Sequence, residues 1–212
     1  MFHLIGVNHN AQRRAPGAAL DDDQVELQRS LELAVKGHHP SLIAVEESED
    51  TLFNKKSGEA DESIPRKVAL THGIKSLLCE PTDDEKRRFG YKGKSQILRE
   101  LSMADLLNHT PPGLQGAAVH AVEMAVMFPI REECWINKLK DYFHSEVVLV
   151  LGEDHIESFG HRLRAQGIES KVICYGIGVS SAKRTEFEAA RKFPIEKPKL
   201  FSAMIQHIGS GN

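Results

Sequence analysis

Two stretches of the chain share one pattern, an apolar run that stops at Gly-x-x-His. The first is Phe-His-Leu-Ile-Gly-Val-Asn-His at 2–9, and the second is Val-Val-Leu-Val-Leu-Gly-Glu-Asp-His at 147–155. Continuous apolar runs of this kind are typical of parallel strands that are buried on both faces. Ligands of open α/β sheets collect beyond the carboxyl ends of such strands. If the two strands are neighbours, His9 and His155 meet at one edge of the sheet.

Strand-like and helix-like segments alternate along the chain, which favours an α/β fold. The predicted strands are 2–7, 42–46, 76–80, 147–151 and 171–175, with helical patterns between them. This alternation predicts a layered domain with a largely parallel or mixed central sheet flanked by helices. A chain of 212 residues fits a single domain spanning 1–212, because domains commonly have about 100–200 residues.

Glycines, prolines and charged runs indicate where the helices and loops end. Gly37 is predicted to cap the first long helix. Pro129 is predicted to end an apolar helix, and Arg131 then begins the next one. The charged stretch 48–63 leaves the end of a predicted strand and is expected to be a mobile loop. The charged stretch 82–94 is also expected to be a loop.

The charge and the cysteines argue against several function classes. A net charge of −3 and a pI near 6.4 give no electrostatic reason for a nucleic-acid partner. The cysteines are widely spaced and form no Cys-x-x-Cys pair, which favours a reducing compartment. No stretch has the ~20 apolar residues of a membrane span, and the N-terminus has no secretory pattern. We therefore expect a cytoplasmic protein without a membrane partner. The sequence carries no signal for an oligomeric state.

Four polar residues follow predicted strands or begin a helix. His9 and His155 end the two motifs, Glu46 ends the second predicted strand, and Arg131 begins a helix. A carboxylate at the end of an apolar strand needs a partner or a cleft, because an unpaired buried charge is costly. We predict a joint site of His9, Glu46 and His155, assisted by Arg131. Glu47 replaces Glu46 if the strand register shifts by one, since neighbouring strand residues point to opposite faces.

These stretches resemble the Tiki/TraB superfamily, which includes erythromycin-esterase-like and haem-uptake ChaN-like proteins. Its members have an early strand ending in Gly-x-x-His, a glutamate ending the next strand, an Arg-Glu or Arg-Asp helix start, and a late strand ending in Gly-x-x-His. Residues 6–9, 42–46, 131–135 and 148–173 are similar to these features in the same order. The chain differs by its short length and by His161 in the late helix. The resemblance implies hydrolysis of an ester or amide bond in a small-molecule or peptide substrate.

Two routes to hydrolysis are open to this residue set. His9, Glu46 and His155 can bind a divalent metal such as Mn²⁺ or Zn²⁺, with His161 as an alternative ligand. A bound metal would lower the pKa of its water to about 7. Without a metal, Glu46 can act as general base on water while the histidines orient it and protonate the leaving group. Arg131 is suited to stabilise the developing oxyanion.

Two other functions compete with hydrolysis. A non-catalytic module of the same fold would retain the histidines to bind haem iron or another metal. A nucleotide-binding protein would use Lys94 and Ser95 at the end of Arg-Phe-Gly-Tyr-Lys-Gly-Lys-Ser, but Arg88 stands where a phosphate-binding loop needs its first glycine. His120 and Glu123 lie three residues apart on an apolar helix, where a satisfied core pair is favoured over a metal site.

Overall fold

The computed structural model describes residues 1–54 and 59–210. Its α-helices are α1 (His9–Gln12), α2 (Asp22–His38), α3 (Glu49–Leu52), α4 (Ile64–Thr71), α5 (Asp83–Arg88), α6 (Lys94–Met103), α7 (Gln115–Leu139), α8 (Ile156–Ala165), α9 (Ser181–Glu196) and α10 (Pro198–Gly209). Its β-strands are β1 (Phe2–Val7), β2 (Arg13–Arg14), β3 (Leu42–Val45), β4 (Phe53–Asn54), β5 (Glu59–Ala60), β6 (Glu62–Ser63), β7 (Lys75–Leu78), β8 (Val147–Gly152) and β9 (Ser170–Ile177). Short 3₁₀ helices lie at Leu107–His109, Pro112–Leu114, Lys140–Tyr142 and Glu153–His155.

Strands β7, β3, β8, β1 and β9 form a parallel sheet in this order. The two strands that carry the Gly-x-x-His motifs, β1 and β8, are direct neighbours, and Val7 pairs with Gly152. Strand β8 also pairs with β3, so that it separates β3 from β1. The predicted α/β fold is confirmed. Because the strands are parallel, the residues that follow β1, β3 and β8 lie at the same edge.

Helices cover both faces of this sheet and explain why its central strands are apolar throughout. The core on one face includes Ile5, Val7, Leu27, Leu31, Ile43, Val45, Val68, Val148 and Val150, from the sheet, α2 and α4. The core on the other face includes Phe2, Leu4, Leu42, Ala44, Trp135, Leu139, Leu149, Leu151, Phe159 and Leu163, from the sheet, the end of α7 and α8. Successive strand residues alternate between the two cores, so every residue of β1, β3 and β8 is buried.

Three expectations about helix boundaries are wrong. Gly37 lies inside α2, and the helix is capped by His39, whose φ of 47° is left-handed and whose N–H donates to the carbonyl of Val35. Pro129 lies inside the continuous helix α7; burial of residues on both sides of it offsets a cost of about 3 kcal/mol for an internal proline. Part of the predicted loop 82–94 forms α5, whose acidic first turn and basic last turn suit the helix dipole.

The stretch 48–63, expected to be a mobile loop, is described only in part. Residues 55–58 of that prediction lie outside the described residues. Before them the chain forms α3 and β4, and after them it forms β5 and β6. β4 pairs with β5, and β6 pairs antiparallel with β2.

The chain divides into two compact units. The first comprises 1–82 and 134–179, and contains the five-stranded sheet of the described residues. The second comprises 83–133 and 180–212; its described part is helical, and its core includes Ile97, Leu101, Ala118, Val122, Met127, Phe193, Met204 and Ile208. The single-domain expectation stays a prediction.

One described segment, Pro112–Tyr142, is long and apolar enough to cross a membrane by length and composition alone. Half of its most apolar window is buried inside the protein, which is also usual for the core helix of a soluble protein. The expectation of a protein without a membrane partner stays a prediction.

Candidate functional site

His9 is placed by the turn that follows β1. The backbone N–H of Asn8 donates to the carbonyl of Ile177 (2.8 Å), and its side-chain amide donates to the carbonyl of Gly178 (2.9 Å). The Asn8 side-chain oxygen also accepts the N–H of Asn10 and caps α1. His9 is therefore the first residue of a one-turn helix whose start is fixed to the end of β9.

His155 is placed by the turn that follows β8. Gly152 ends the strand, and a 3₁₀ turn over Glu153–His155 brings the imidazole back toward the sheet. The ring meets the indole of Trp135 edge to face, with centroids 4.8 Å apart and planes at 62°. His155 is buried, and this aromatic contact fixes the plane of its ring.

Glu46 lies between the two imidazoles. Its backbone N–H donates to the carbonyl of Val150 (2.9 Å), and its Oε2 accepts the N–H of Gly152 (2.5 Å). Its Oε1 lies 3.6 Å from Nε2 of His9 and 3.8 Å from Nε2 of His155. The predicted convergence of the three side chains is thus present, whereas their catalytic roles stay predictions.

The glycine of each motif makes room for the other motif. A Cβ atom on Gly152 would lie 3.0 Å from Nε2 of His9 and 2.9 Å from Oδ1 of Asp154. A Cβ atom on Gly6 would lie 2.8 Å from Cγ1 of Ile156, the residue after His155. A Cβ atom at either position would therefore force a neighbouring side chain to move: the ends of His9 and Asp154 at Gly152, and the packed Ile156 at Gly6.

The three site residues differ in their access to solvent. The side chain of His9 is 35% exposed, whereas those of Glu46 and His155 are each 1% exposed. A buried carboxylate is stabilised by hydrogen-bond donors and adjacent imidazoles, which the Gly152 N–H and the two histidines supply. Solvent can therefore reach this cluster at His9.

Glu47 occupies a separate, buried position. Its Oε1 lies 3.6 Å from Nε of Arg13, and its side chain is fully buried. Burial raises the pKa of Glu47 to about 7, and the Ser63 hydroxyl and the Arg13 guanidinium oppose this increase. Since Glu46 faces the histidines, the one-residue register shift that would substitute Glu47 does not occur.

Two other predicted site residues belong to helices α7 and α8. Arg131 belongs to the second unit, where it lies inside α7 and does not begin a helix. His161 is exposed on α8. The proposed roles of both residues stay predictions.

The second unit contains the other candidates from the sequence. α5 precedes the stretch that resembles a phosphate-binding loop. Lys94 Nζ lies 3.8 Å from Glu123 and 3.9 Å from Glu186. His120 is buried, and its Nδ1 lies 3.2 Å from Oε2 of Glu123, as expected for a core pair. Nucleotide binding through Lys94 and Ser95 stays a prediction.

Sequence reasoning missed two neighbours of the histidines. Trp135 is one of them, and no local pattern in the sequence links it to His155. Gln12 lies three residues after His9 on α1, and its Nε2 is 3.4 Å from Nδ1 of His9. That spacing places both side chains on one face of a helical turn, so the signal was present in the sequence.

The next feature is the arrangement of the donor atoms at the predicted metal site. No group of His, Cys, Asp or Glu side chains within 1–54 and 59–210 is arranged to hold a metal ion. In the cluster itself, Oε2 of Glu46 is taken by the Gly152 N–H. Metal binding at His9, Glu46 and His155 stays a prediction.

Comparisons of the chain with protein-family models, with curated proteins and with solved structures found no match. The resemblance to the Tiki/TraB superfamily stays a prediction from the motifs.

Proposed function

We propose that this protein is a hydrolase that cleaves an ester or amide bond of a small-molecule or peptide substrate, with water activated at His9, Glu46 and His155. The observation that supports it is Oε1 of Glu46, which lies 3.6 and 3.8 Å from the two Nε2 atoms. These distances exceed those of hydrogen bonds. Catalytic contacts are often long without substrate and tighten in the complex.

The three side chains differ in solvent exposure, and this assigns a different role to each. Glu46 is too buried to meet water directly, so it acts on His9 instead, as the buried carboxylate does in a carboxylate–histidine pair. His9 takes a proton from water as the water oxygen attacks the carbonyl carbon, and Glu46 stabilises the resulting imidazolium. His9 then returns the proton to the leaving oxygen or nitrogen as the tetrahedral intermediate collapses. His155 holds Glu46 from the buried side.

The experiment compares His9→Ala, Glu46→Gln and His155→Ala with the unchanged protein on p-nitrophenyl esters and chromogenic peptide amides. Each assay is run with EDTA, with Mn²⁺ and with Zn²⁺. Loss of a general base typically costs 10²–10⁴ in rate, so we expect kcat/KM to fall about 100-fold or more for His9→Ala and Glu46→Gln. Arg131→Lys tests the predicted oxyanion role in the same assay.

His72→Ala is the matched control, because His72 is an exposed histidine at the end of α4. Its turnover should equal that of the unchanged protein. Equal turnover in His9→Ala and Glu46→Gln would remove these residues from the reaction. A Soret absorption band after haem addition, with no hydrolysis of any substrate, would favour the binding module instead.

A further inference from the structure

Gln12 is a buried amide with an unusual set of contacts. Its side chain is fully buried, although glutamine is mostly exposed in proteins. Its Nε2 lies 3.4 Å from Nδ1 of His9, and its Oε1 has no hydrogen-bond partner among the described residues. Burial of an amide with an unsatisfied oxygen is unfavourable, so the position calls for a reason beyond packing.

The contacts of the two ring nitrogens of His9 define one tautomer. A neutral imidazole has one N–H donor and one acceptor nitrogen. The group 3.6 Å from Nε2 is the Glu46 carboxylate, whose charge favours a proton on Nε2, and in that tautomer the Gln12 amide donates to the lone pair of Nδ1. This is the arrangement in which a carboxylate orients the ring and the other nitrogen is basic.

We propose that Gln12 is a positioning residue that holds His9 in the Nε2–H tautomer, with Nδ1 as the basic nitrogen. Rotation of the amide breaks its hydrogen bond to Nδ1 and frees the lone pair for a proton from water, and the same rotation brings Oε1 to the new N–H. A terminal amide can thus serve both forms of the ring, which neither a carboxylate nor an apolar side chain can do. The catalytic consequence rests on the proposed function; the tautomer does not.

The test measures the tautomer by the ¹⁵N chemical shifts of the His9 ring, at a pH where the ring is neutral and with His9→Ala for assignment. The unchanged protein should show the Nε2–H form. Gln12→Glu places an acceptor at Nδ1 and should convert the ring to the Nδ1–H form, while Gln12→Met should give a mixture. Gln28→Met, a glutamine on α2 that bonds to Glu32, is the control and should leave the ring unchanged.

Kinetics separate this inference from the proposed function. If the protein hydrolyses a substrate, both Gln12 variants should lower kcat about 10–100-fold, the usual range for a residue that orients a functional side chain, with little change in KM. If no substrate is hydrolysed, the proposed function fails while the ¹⁵N result still decides the role of Gln12. Gln12→Glu keeps the size and polarity of the side chain, so it still tests the inference if Gln12→Met does not fold. The same Nε2–H signal in folded Gln12→Glu as in the unchanged protein would overturn the inference.

Discussion

The Cα of Gly152 faces the imidazole of His9 so closely that a Cβ atom there would lie 3.0 Å from Nε2. Gly152 also gives its N–H to Oε2 of Glu46 at 2.5 Å. One residue therefore makes space for the first component of the site and orients the second. The parallel pairing of β1 and β8 makes this possible, because Val7 and Gly152 end their strands side by side.

Gly152→Ala should reduce activity more than stability. The atoms that the new methyl group would meet are the ends of the His9 and Asp154 side chains, which can turn away at a cost of about 1 kcal/mol. A displacement of His9 by about 1 Å can cost about 100-fold in rate. Urea denaturation and kcat/KM measure the two effects.

Gly37→Ala should instead add about 0.5–1 kcal/mol to the free energy of unfolding, because Gly37 lies inside α2 and a Cβ atom there would meet open space.

Gly6→Ala should destabilise the fold by about 1–3 kcal/mol, because its methyl group would overlap a packed side chain. The nearest atom is Cγ1 of Ile156 at 2.8 Å, and Ile156 is the first residue of α8 and is buried in the core. Ile156→Ala removes that atom at its own cost of about 2–5 kcal/mol. In a double-mutant cycle, the combined loss should be smaller than the sum of the two. Strict additivity would contradict the overlap.

Glu47→Gln should become relatively more stabilising as the pH rises. The pKa of Glu47 is raised by burial from 4.5 to about 7, so between these values the folded protein binds a proton that the unfolded chain has lost. This contribution to stability is therefore lost as pH increases. From pH 5 to pH 8, the free energy of unfolding of Glu47→Gln relative to the unchanged protein should rise by about 2 kcal/mol. A difference that does not vary with pH would show that Glu47 titrates normally.

Glu146→Gln should destabilise the protein at neutral pH and have less effect in acid. The Nε2 of buried His3 lies 2.6 Å from Oε2 of Glu146, and this hydrogen bond is the main cause of the lowered pKa of Glu146. The ordinary pKa of this carboxylate is 4.5, and its pKa in the folded protein is lower. The stability that it contributes is therefore present above pH 4.5 and is lost as the pH falls through the folded-state pKa. Thermal unfolding from pH 7 to pH 3 measures the change. Because Glu146 is 45% exposed, the effect should weaken in 1 M salt, and Glu26→Gln, at an exposed position of α2, is the control variant.

The sequence by itself determined the α/β class and the strands that carry the site. Runs such as Leu42–Val45 and Val147–Gly152 are apolar at every position, and only strands buried on both faces require this. The sequence also supplied His9, Glu46 and His155, since each follows such a strand. It misjudged Gly37 and Pro129, because a cap or a proline is a local signal that burial elsewhere in the chain can outweigh.

Only the tertiary structure decided which strands are neighbours and what each side chain meets. β8 separates β1 from β3, and this order brings Glu46 between histidines from opposite ends of the chain. The same packing selects Glu46 over Glu47 and places Trp135 against His155. These outcomes depend on contacts between residues far apart in sequence, whose energies come from burial in a shared core, and no local pattern of residue types specifies them.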